Sequence, residues 1–361
     1  MRMFFEGKCV RVSLSKSDGS FSATPEMSVL DAALEAGLNL PHSCKGGNCG
    51  ACRTRLLQGE IRYPNGPPLG LSDAEVKEGF VLLCQARART DLIIENIAVS
   101  TPDEALIKRL PGRIERMERL SHDVMGVYLR LPAAEPFHFE PGQYIDIMLS
   151  GGRRRSFSIA SPPHDSRLLE LHVRRVNGGE LSERLFAEDA GRPLLSIEGP
   201  LGRFVYRGES SAPMLLVGGG TGFAPLKSIL RHVIENRLPR DMLLYWGVRT
   251  EADLYAQQEI EDFVLRANAL PGQATLRYHA VLSEGGPDWS GRRGWVHEAV
   301  LEDGVDLAAR DIYASGPPAM IEAVRREFAL RGADPARLYF DSFDYAPDAL
   351  ERQRVIAANK S

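Results

Sequence analysis

Residues 214–230, MLLVGGGTGFAPLKSIL, decide the architecture of the C-terminal part of the chain. Met214 to Val217 form an apolar run that reads as a buried strand, and the residues after Gly222 carry the spacing of a helix. Between them lies Gly218-Gly219-Gly220-Thr221-Gly222. A glycine run is weak evidence by itself. At a strand-to-helix turn it lets backbone amides approach a pyrophosphate at the helix N-terminus. No lysine stands in the G-K-[ST] position, which disfavours a nucleotide hydrolase. The same rhythm continues downstream through DMLLYWGV, EADLYAQQEIEDFVLRA, LRYHAVLS, WVHEAVLE, DIYASG and PAMIEAVRREFALRG. Repeated βα units with apolar strands predict a doubly wound parallel sheet.

Upstream the rhythm differs. From Gly112 to Arg207, short alternating stretches (VMGVYLRL, QYIDIML, RSFSIAS, LELHVRRV) are separated by turn residues. That spacing predicts an antiparallel barrel or sandwich, interrupted by one helix near LSERLFAED. STPDEALIKRLP reads as a linker, and the polar residues from about Ala346 as a tail. Further upstream, KCVRVSLS and DLIIENIAV read as strands and SVLDAALEAGLNL as a short helix.

At about 150 residues per domain, 361 residues hold two or three domains. The composition is that of a soluble globular protein, with 43% hydrophobic and 25% charged residues. The net charge is −4 and no segment is strongly basic, which argues against nucleic acid as a partner. No apolar run is long enough to span a membrane, and the N-terminus does not read as a signal peptide. There are five cysteines, and three fall within nine positions. A disulfide scaffold would spread them, so they read as ligands in a cytoplasmic protein.

Those three, Cys44, Cys49 and Cys52, form C-x4-C-x2-C, and Cys84 follows after 31 intervening residues. This is the spacing of a plant-type [2Fe–2S] cluster. Gly46, Gly47 and Gly50 permit the dihedrals a tight amide-donating loop needs. Lys45, Arg53 and Arg55 add positive charge beside an anionic cluster. Structural zinc prefers paired C-x2-4-C units, and Cys84 has no such partner. Cys9 stands apart and reads as a core thiol.

With these residues in view, residues 1–98 resemble a plant-type ferredoxin, which implies a β-grasp fold. The resemblance puts Cys44 and Cys49 on one iron, Cys52 and Cys84 on the other. Arg155-Ser156-Phe157-Ser158 resembles the R-x-Y-[ST] motif of ferredoxin–NADP reductase-like flavoproteins, with Phe157 in place of Tyr. Arg155 suits a pyrophosphate, Phe157 a flat ring face and Ser158 the flavin edge. Residues 155, 157 and 158 cannot share one strand face, so a bend or strand end is expected. His172-Val173-Arg174 and Gly179-Glu180-Leu181-Ser182 are similar to the strand and the G-x-x-[ST] helix start that follow in that family. Ser182 as a plain N-cap is the simpler alternative. The stretch that opens at Gly218 matches, over Gly220-Thr221-Gly222 and on to its end at Pro225, the family's G-x-G-x-x-P, and Gly247-Val248-Arg249 its G-x-R. Ser315-Gly316-Pro317-Pro318 resembles C-G-P-P with serine for the cysteine beside the nicotinamide. Phe343 is placed over the second flavin face, with Tyr345 the alternative.

The resemblance implies a multidomain chain: a β-grasp ferredoxin domain (1–98), a linker (99–110), an antiparallel β-barrel FAD domain (111–208), a doubly wound parallel-sheet NAD(P) domain (209–345) and a tail (346–361). Ser158, Ser315 and Phe343 are its expected catalytic residues, and FAD, a [2Fe–2S] cluster and NADH its cofactors, with NADPH possible. The module order resembles reductase components of bacterial multicomponent oxygenases, passing electrons from NADH through FAD and cluster to an oxygenase partner. It equally resembles reductases of CDP-6-deoxy-hexulose 3-dehydrase. A free-flavin reductase and a structural zinc protein with a nucleotide-sensing domain are the remaining alternatives. A cytoplasmic monomer is expected, with no membrane or nucleic-acid partner and a linker that lets the ferredoxin domain swing.

Overall fold

The computed structural model describes residues 9–15, 19–38, 40–42, 45–47, 52–68, 71, 73–95, 107–187, 191–269 and 272–343. The chain divides into two compact units, 1–106 and 107–361.

In the first unit, strands β1 (Val10–Leu14) and β2 (Ser20–Ala23) form an antiparallel pair. Helix α1 (Val29–Glu35) follows, then β3 (Arg53–Gln58), the short β4 (Ile61–Arg62), α2 (Asp73–Lys77), β5 (Phe80–Leu82), the short β6 (Arg87–Ala88) and β7 (Leu92–Ile94). The main sheet has the order β2-β1-β7-β3-β5, with β1 and β7 parallel. Val12, Leu14, Phe21 and Ala23 alternate inward and pack with the buried face of α1, Val29, Leu30, Ala32 and Ala33. Burying a side chain the size of Leu30 stabilises by about 1.5–3 kcal/mol. Ser28 caps α1 by accepting from the Asp31 amide at 3.0 Å, a contact worth about 1 kcal/mol. The helix ends where the sequence carries its stop signal, Gly37. It stops at Glu35 because Gly37 turns at φ +79°, and Leu38 and Leu40 fold back onto the core instead of extending the helix.

The second unit opens with an antiparallel sheet. Its strands are β8 (Lys108–Arg119), β9 (Val124–Arg130), β10 (Tyr144–Met148), β11 (Arg154–Ser158), β12 (Leu168–Arg174) and, after helix α3 (Glu180–Phe186), β13 (Leu194–Leu201). The order is β11-β10-β13-β8-β9-β12. An antiparallel bridge from Ile159 to Leu171 joins the two edges, so the sheet closes on itself as a barrel. β8 begins inside the stretch read as a linker: Lys108, Arg109 and Leu110 already pair with Gly199, Glu198 and Ile197.

The rest of the unit is a six-stranded parallel sheet. Its elements are β14 (Met214–Gly219), α4 (Phe223–Glu235), β15 (Asp241–Val248), α5 (Gln257–Ala267), β16 (Thr275–Leu282), β17 (Arg292–Arg293), α6 (Val296–Glu302), β18 (Asp311–Gly316), α7 (Pro318–Leu330) and β19 (Leu338–Ser342). The order β17-β16-β15-β14-β18-β19 runs outward in both directions from β14. The connections therefore reverse between β14 and β18. In open α/β sheets a ligand crevice forms at such a reversal, beyond the carboxyl ends of the strands. β14 and β18 are buried along their whole length, as strands covered by helices on both faces must be. Among the described residues no helix is long and apolar enough to cross a membrane.

Candidate cofactor and electron-transfer sites

In the first unit, Cys52 and Cys84 are buried, and neither is in a disulfide. The Cys84 amide points at the Cys52 sulfur at 3.4 Å. Backbone ties hold that approach: Leu83 N–H donates to Cys52 O at 3.2 Å, and Leu30 N–H, at the start of α1, donates to Leu83 O at 3.1 Å. The Gln85 side chain donates to Lys45 O at 2.7 Å, which ties the turn after β5 to the cysteine loop. Lys45 sits at φ +51° and Gly47 at φ +84°, where a Cβ would lie 2.7 Å from Gln85. Two buried thiols on adjoining segments, one sulfur facing the other cysteine's amide, beside a loop with left-handed backbone at Lys45 and Gly47, fit an iron–sulfur group. Cys44, Cys49 and Gly50 lie outside the described residues.

In the barrel, Arg155 and Phe157 lie within β11, paired with Ile147 and Ile145 of β10, and Ser158 stands at the strand's end. Arg155 is half-buried and donates to Arg154 O at 2.8 Å. Phe157 packs partly on the barrel core. Val173 lies wholly inside that core, so its side chain offers a cofactor nothing. Ser182 is not an N-cap: Gly179 caps α3, and the Ser182 hydroxyl accepts from the Val176 amide at 3.0 Å, pinning the preceding loop.

In the parallel sheet, the glycine turn and the Ser315 motif meet at the topological reversal, with Gly218 directly opposite Ser315 in the β14–β18 ladder. The approach is too close for side chains. A Cβ on Gly222 would lie 2.0 Å from the Ser315 carbonyl oxygen, and one on Gly219 2.6 Å from Met320 Sδ and 2.9 Å from Pro317 Cδ. Pro225 is buried in the first turn of α4, and Pro317 caps α7. Gly247 makes room for α6, since its Cβ would lie 2.8 Å from Val296. Arg249 lies between Asp253 at 3.3 Å and Asp123 of the barrel at 3.5 Å. Arg174, also paired with Asp123 at 3.6 Å, reaches across from the barrel to Gly220, where its Nη2 lies 3.2 Å from the position of a Cβ.

The three expected catalytic residues come together. The Ser158 hydroxyl donates to Asp341 Oδ2 at 3.2 Å, bridging the flavin motif to β19. Asp341 stands opposite Ser315 in the β18–β19 ladder, and the Phe343 amide donates to Gly316 O at 3.0 Å. Ser315 has no exposed surface, and its hydroxyl has no hydrogen-bond partner among the described residues. Tyr345 lies outside the described residues. Asp341 was not anticipated. Its signal in the sequence is a carboxylate inside the apolar strand YFDSF.

His172 also sits differently from a cofactor contact. Its Nδ1 is 3.0 Å from the Tyr255 hydroxyl and its Nε2 3.1 Å from Glu170. The ring stacks on Phe223, the first residue of α4, at 6.4 Å and 27°. Phe223 in turn contacts Trp246 at 4.9 Å, and the Trp246 indole donates to Gly220 O at 2.9 Å. The side chain therefore supports the glycine turn from behind.

A ferredoxin-like unit on the same chain as a barrel and a nucleotide-type sheet, the flavin and glycine motifs converging where that barrel and sheet meet within the second unit, defines an iron–sulfur flavoprotein oxidoreductase. Residues 13–89 match the 2Fe-2S iron-sulfur cluster binding domain, 111–206 the oxidoreductase FAD-binding domain and 216–326 the oxidoreductase NAD-binding domain. The CDP-6-deoxy-L-threo-D-glycero-4-hexulose-3-dehydrase reductase of Yersinia pestis is 34% identical over 92% of this chain and 98% of its own. Terephthalate 1,2-dioxygenase reductase component 1 of Comamonas is 33% identical over 93% and 98%. The crystal structure of the Amycolatopsis cytochrome P450 reductase GcoB superposes with a TM-score of 0.74 at 34% identity, covering 92% of this chain and 98% of that one. The chain belongs to the family of NADH-dependent reductases that carry a [2Fe–2S] ferredoxin domain together with FAD- and NAD-binding domains. It moves electrons from NAD(P)H through FAD to the cluster and on to an electron-accepting protein.

Proposed function

We propose that the acceptor is an oxygenase component, so that the chain serves a multicomponent oxygenase in the cytoplasm as a monomer. The observation that carries the reductase chemistry is the junction at which Ser158, Asp341, Ser315 and Phe343 adjoin. The oxygenase assignment is supported by the terephthalate dioxygenase reductase, similar over almost the whole chain. A CDP-6-deoxy-hexulose 3-dehydrase is the second reading, supported by the Yersinia reductase over the same extent. The domain limits we propose are 1–98, 108–208 and 209–345, because β8 takes Lys108 to Leu110 out of the linker.

When bound, FAD takes two electrons as a hydride and releases them singly, which matches a two-electron donor to a one-electron cluster. The chain's own residues do the holding. Cys44, Cys49, Cys52 and Cys84 ligate the iron. Arg155 supplies the cation for the FAD pyrophosphate, Phe157 the flat face and Ser158 the hydroxyl at the ring edge, oriented by Asp341. Gly218, Gly220, Thr221 and Gly222 offer backbone amides to the pyrophosphate of NADH, and Gly179 opens the helix of the second flavin motif. Gly316 and Pro317 would border the nicotinamide, with Ser315 buried behind them, and Phe343, just beyond β19, would cover the flavin. NADH is favoured over NADPH because Arg249 is already flanked by two carboxylates, which leaves little net positive charge there for a 2′-phosphate.

An anaerobic NADH titration followed by visible absorbance and EPR tests the route. The expected result is flavin bleaching together with a reduced [2Fe–2S] signal, and in Cys84→Ser bleaching without that signal. Bleaching in the native protein while an iron-replete cluster stays oxidised would refute it. NADH consumption with each candidate acceptor then decides between oxygenase and dehydrase, and loss of FAD on gel filtration would point to a free-flavin reductase.

A further inference from the structure

β12 is covered on both faces by different parts of its unit. Leu169, Leu171 and Val173 enter the barrel core. The interleaved Glu170, His172 and Arg174 face the elements of the parallel-sheet layer. Glu170 is 4% exposed, and one of its oxygens accepts three hydrogen bonds: from Tyr128 at 3.2 Å, His172 at 3.1 Å and Lys227 at 2.8 Å. Lys227, also 4% exposed, lies on α4 five residues beyond the glycine turn. Its ammonium also meets Glu259 of α5 at 2.7 Å. The ion pair therefore joins a barrel strand to the helix that starts at the nucleotide turn.

Stability alone does not account for this pair. Desolvating two charges offsets most of their attraction, and apolar replacements of similar volume are often as stable or more so. What an apolar contact lacks is direction. A carboxylate oxygen with three donors admits one lateral position of α4 against β12, whereas a greasy interface slides. The aromatic contacts from His172 through Phe223 and Trp246 end on Gly220 O, so a shift of α4 along β12 moves the turn itself.

We propose that Glu170 and Lys227 are positioning residues for hydride transfer. Their ion pair sets the register of the glycine turn against the barrel, and thereby the approach of the nicotinamide to the flavin face. The proposal rests on the reading that Gly218 to Gly222 hold the nicotinamide nucleotide. Both are occupied by protein partners and act through α4. A misplacement of about 1 Å can slow a reaction about a hundredfold while binding is retained.

The test uses the full-length protein loaded with FAD and cluster. Lys227→Met, Glu170→Gln, the double variant and Lys227→Arg are compared by FAD content, NAD+ affinity, the anaerobic rate of flavin bleaching by NADH, and the 19F resonance of 5-fluorotryptophan at Trp246. The expected result for Lys227→Met is full FAD content, NAD+ affinity within about threefold of the native value, bleaching at least about tenfold slower, and a displaced Trp246 resonance. Lys227→Arg should recover part of the rate. The double variant should be no slower than the worse single variant, because the two charges act as one device. Native bleaching rates in variants with lowered melting temperatures would make the pair merely structural and overturn the proposal. If Lys227→Met does not fold, Glu259→Gln removes the outer partner of the same ammonium. It should slow bleaching about threefold, and an unchanged rate there would equally overturn it. A native protein that binds no NAD+ would instead refute the reading of the glycine turn.

Discussion

Replacing Gly222 by alanine tests how closely the glycine turn must approach β18. The native φ of −59° is open to any residue, so backbone conformation does not forbid the change. Gly222 is the N-cap of α4, where alanine is a poorer residue than glycine, so helix propensity offers no compensation. The new methyl would lie 2.0 Å from the Ser315 carbonyl oxygen and 2.5 Å from its carbon, where ordinary contact begins near 3.4 Å. Roughly 1.4 Å must open between the start of α4 and the end of β18. Neither side yields readily, because Gly218 and Ser315 are partners in the β14–β18 ladder. Overpacking of this kind costs about 1–3 kcal/mol, and here the obstacle is backbone, so the upper end applies. Net destabilisation of about 3 kcal/mol follows, or a melting temperature lower by about 6–12 °C for a unit of this size. Because the turn is forced off β18, NAD+ affinity should fall at least about tenfold, measured by equilibrium titration. Gly304→Ala is the control. That glycine has φ +63° and nothing within 4 Å, so it should lose only about 1 kcal/mol and no NAD+ affinity. A Gly222→Ala protein that melts at or above the native temperature and binds NAD+ equally well would refute the steric argument.

Three further outcomes are expected. Ser315→Ala removes a buried hydroxyl that lacks a partner among the described residues, so urea unfolding should show a gain of up to about 1 kcal/mol; a clear loss would mean that the hydroxyl is satisfied. Burial by itself would raise the Glu170 carboxyl, but hydrogen bonds and charge from His172 and Lys227 overcome it and hold the group well below its ordinary 4.5. Its stabilisation is therefore complete above pH 4.5 and fades as pH falls toward the depressed native value, so the melting-temperature gap between native protein and Glu170→Gln should shrink from pH 6 to pH 3.5, and a constant gap would contradict the sign. Arg240, 3% exposed, donates to Asp311 at 2.8 Å; Arg240→Met should lose about 3–5 kcal/mol by denaturant titration, because it strands a buried carboxylate held otherwise by Arg337 alone among the ion pairs described.

The parts legible in the sequence were those where chemistry restricts the residue type. Thiolate spacing announced the ferredoxin unit, and the glycine turn between apolar strand and helix announced the parallel sheet. The crossing at Ser158, Ser315 and Phe343 could be anticipated by motif but not by distance. Asp341, the acceptor that joins Ser158 to β19, was hidden because one carboxylate in an apolar strand reads as an irregularity. Glu170 and Lys227 were hidden for a related reason. In LELHVR the alternation of apolar and polar residues reads as a strand with one wet face, and a lysine on an amphipathic helix reads as solvated. Periodicity reports which residues leave water on one side; it is silent about a second layer that covers the other. Local geometry was misjudged where tertiary pairing prevailed, as at the early start of β8.

The two-sided burial of β12 bears on how such reductases exchange parts. Cut by sequence, the barrel looks like a cassette that ends near residue 208. Cut by contact, half of β12 belongs to the neighbouring layer, since Glu170 answers to Lys227 and His172 to Tyr255. A chimaera that imports a relative's barrel without matching residues at 227, 255 and 259 would strand a carboxylate in a dry seam. The unit of inheritance is thus the barrel and parallel sheet together, and grafts are best joined upstream of Ile107, where the two compact units divide.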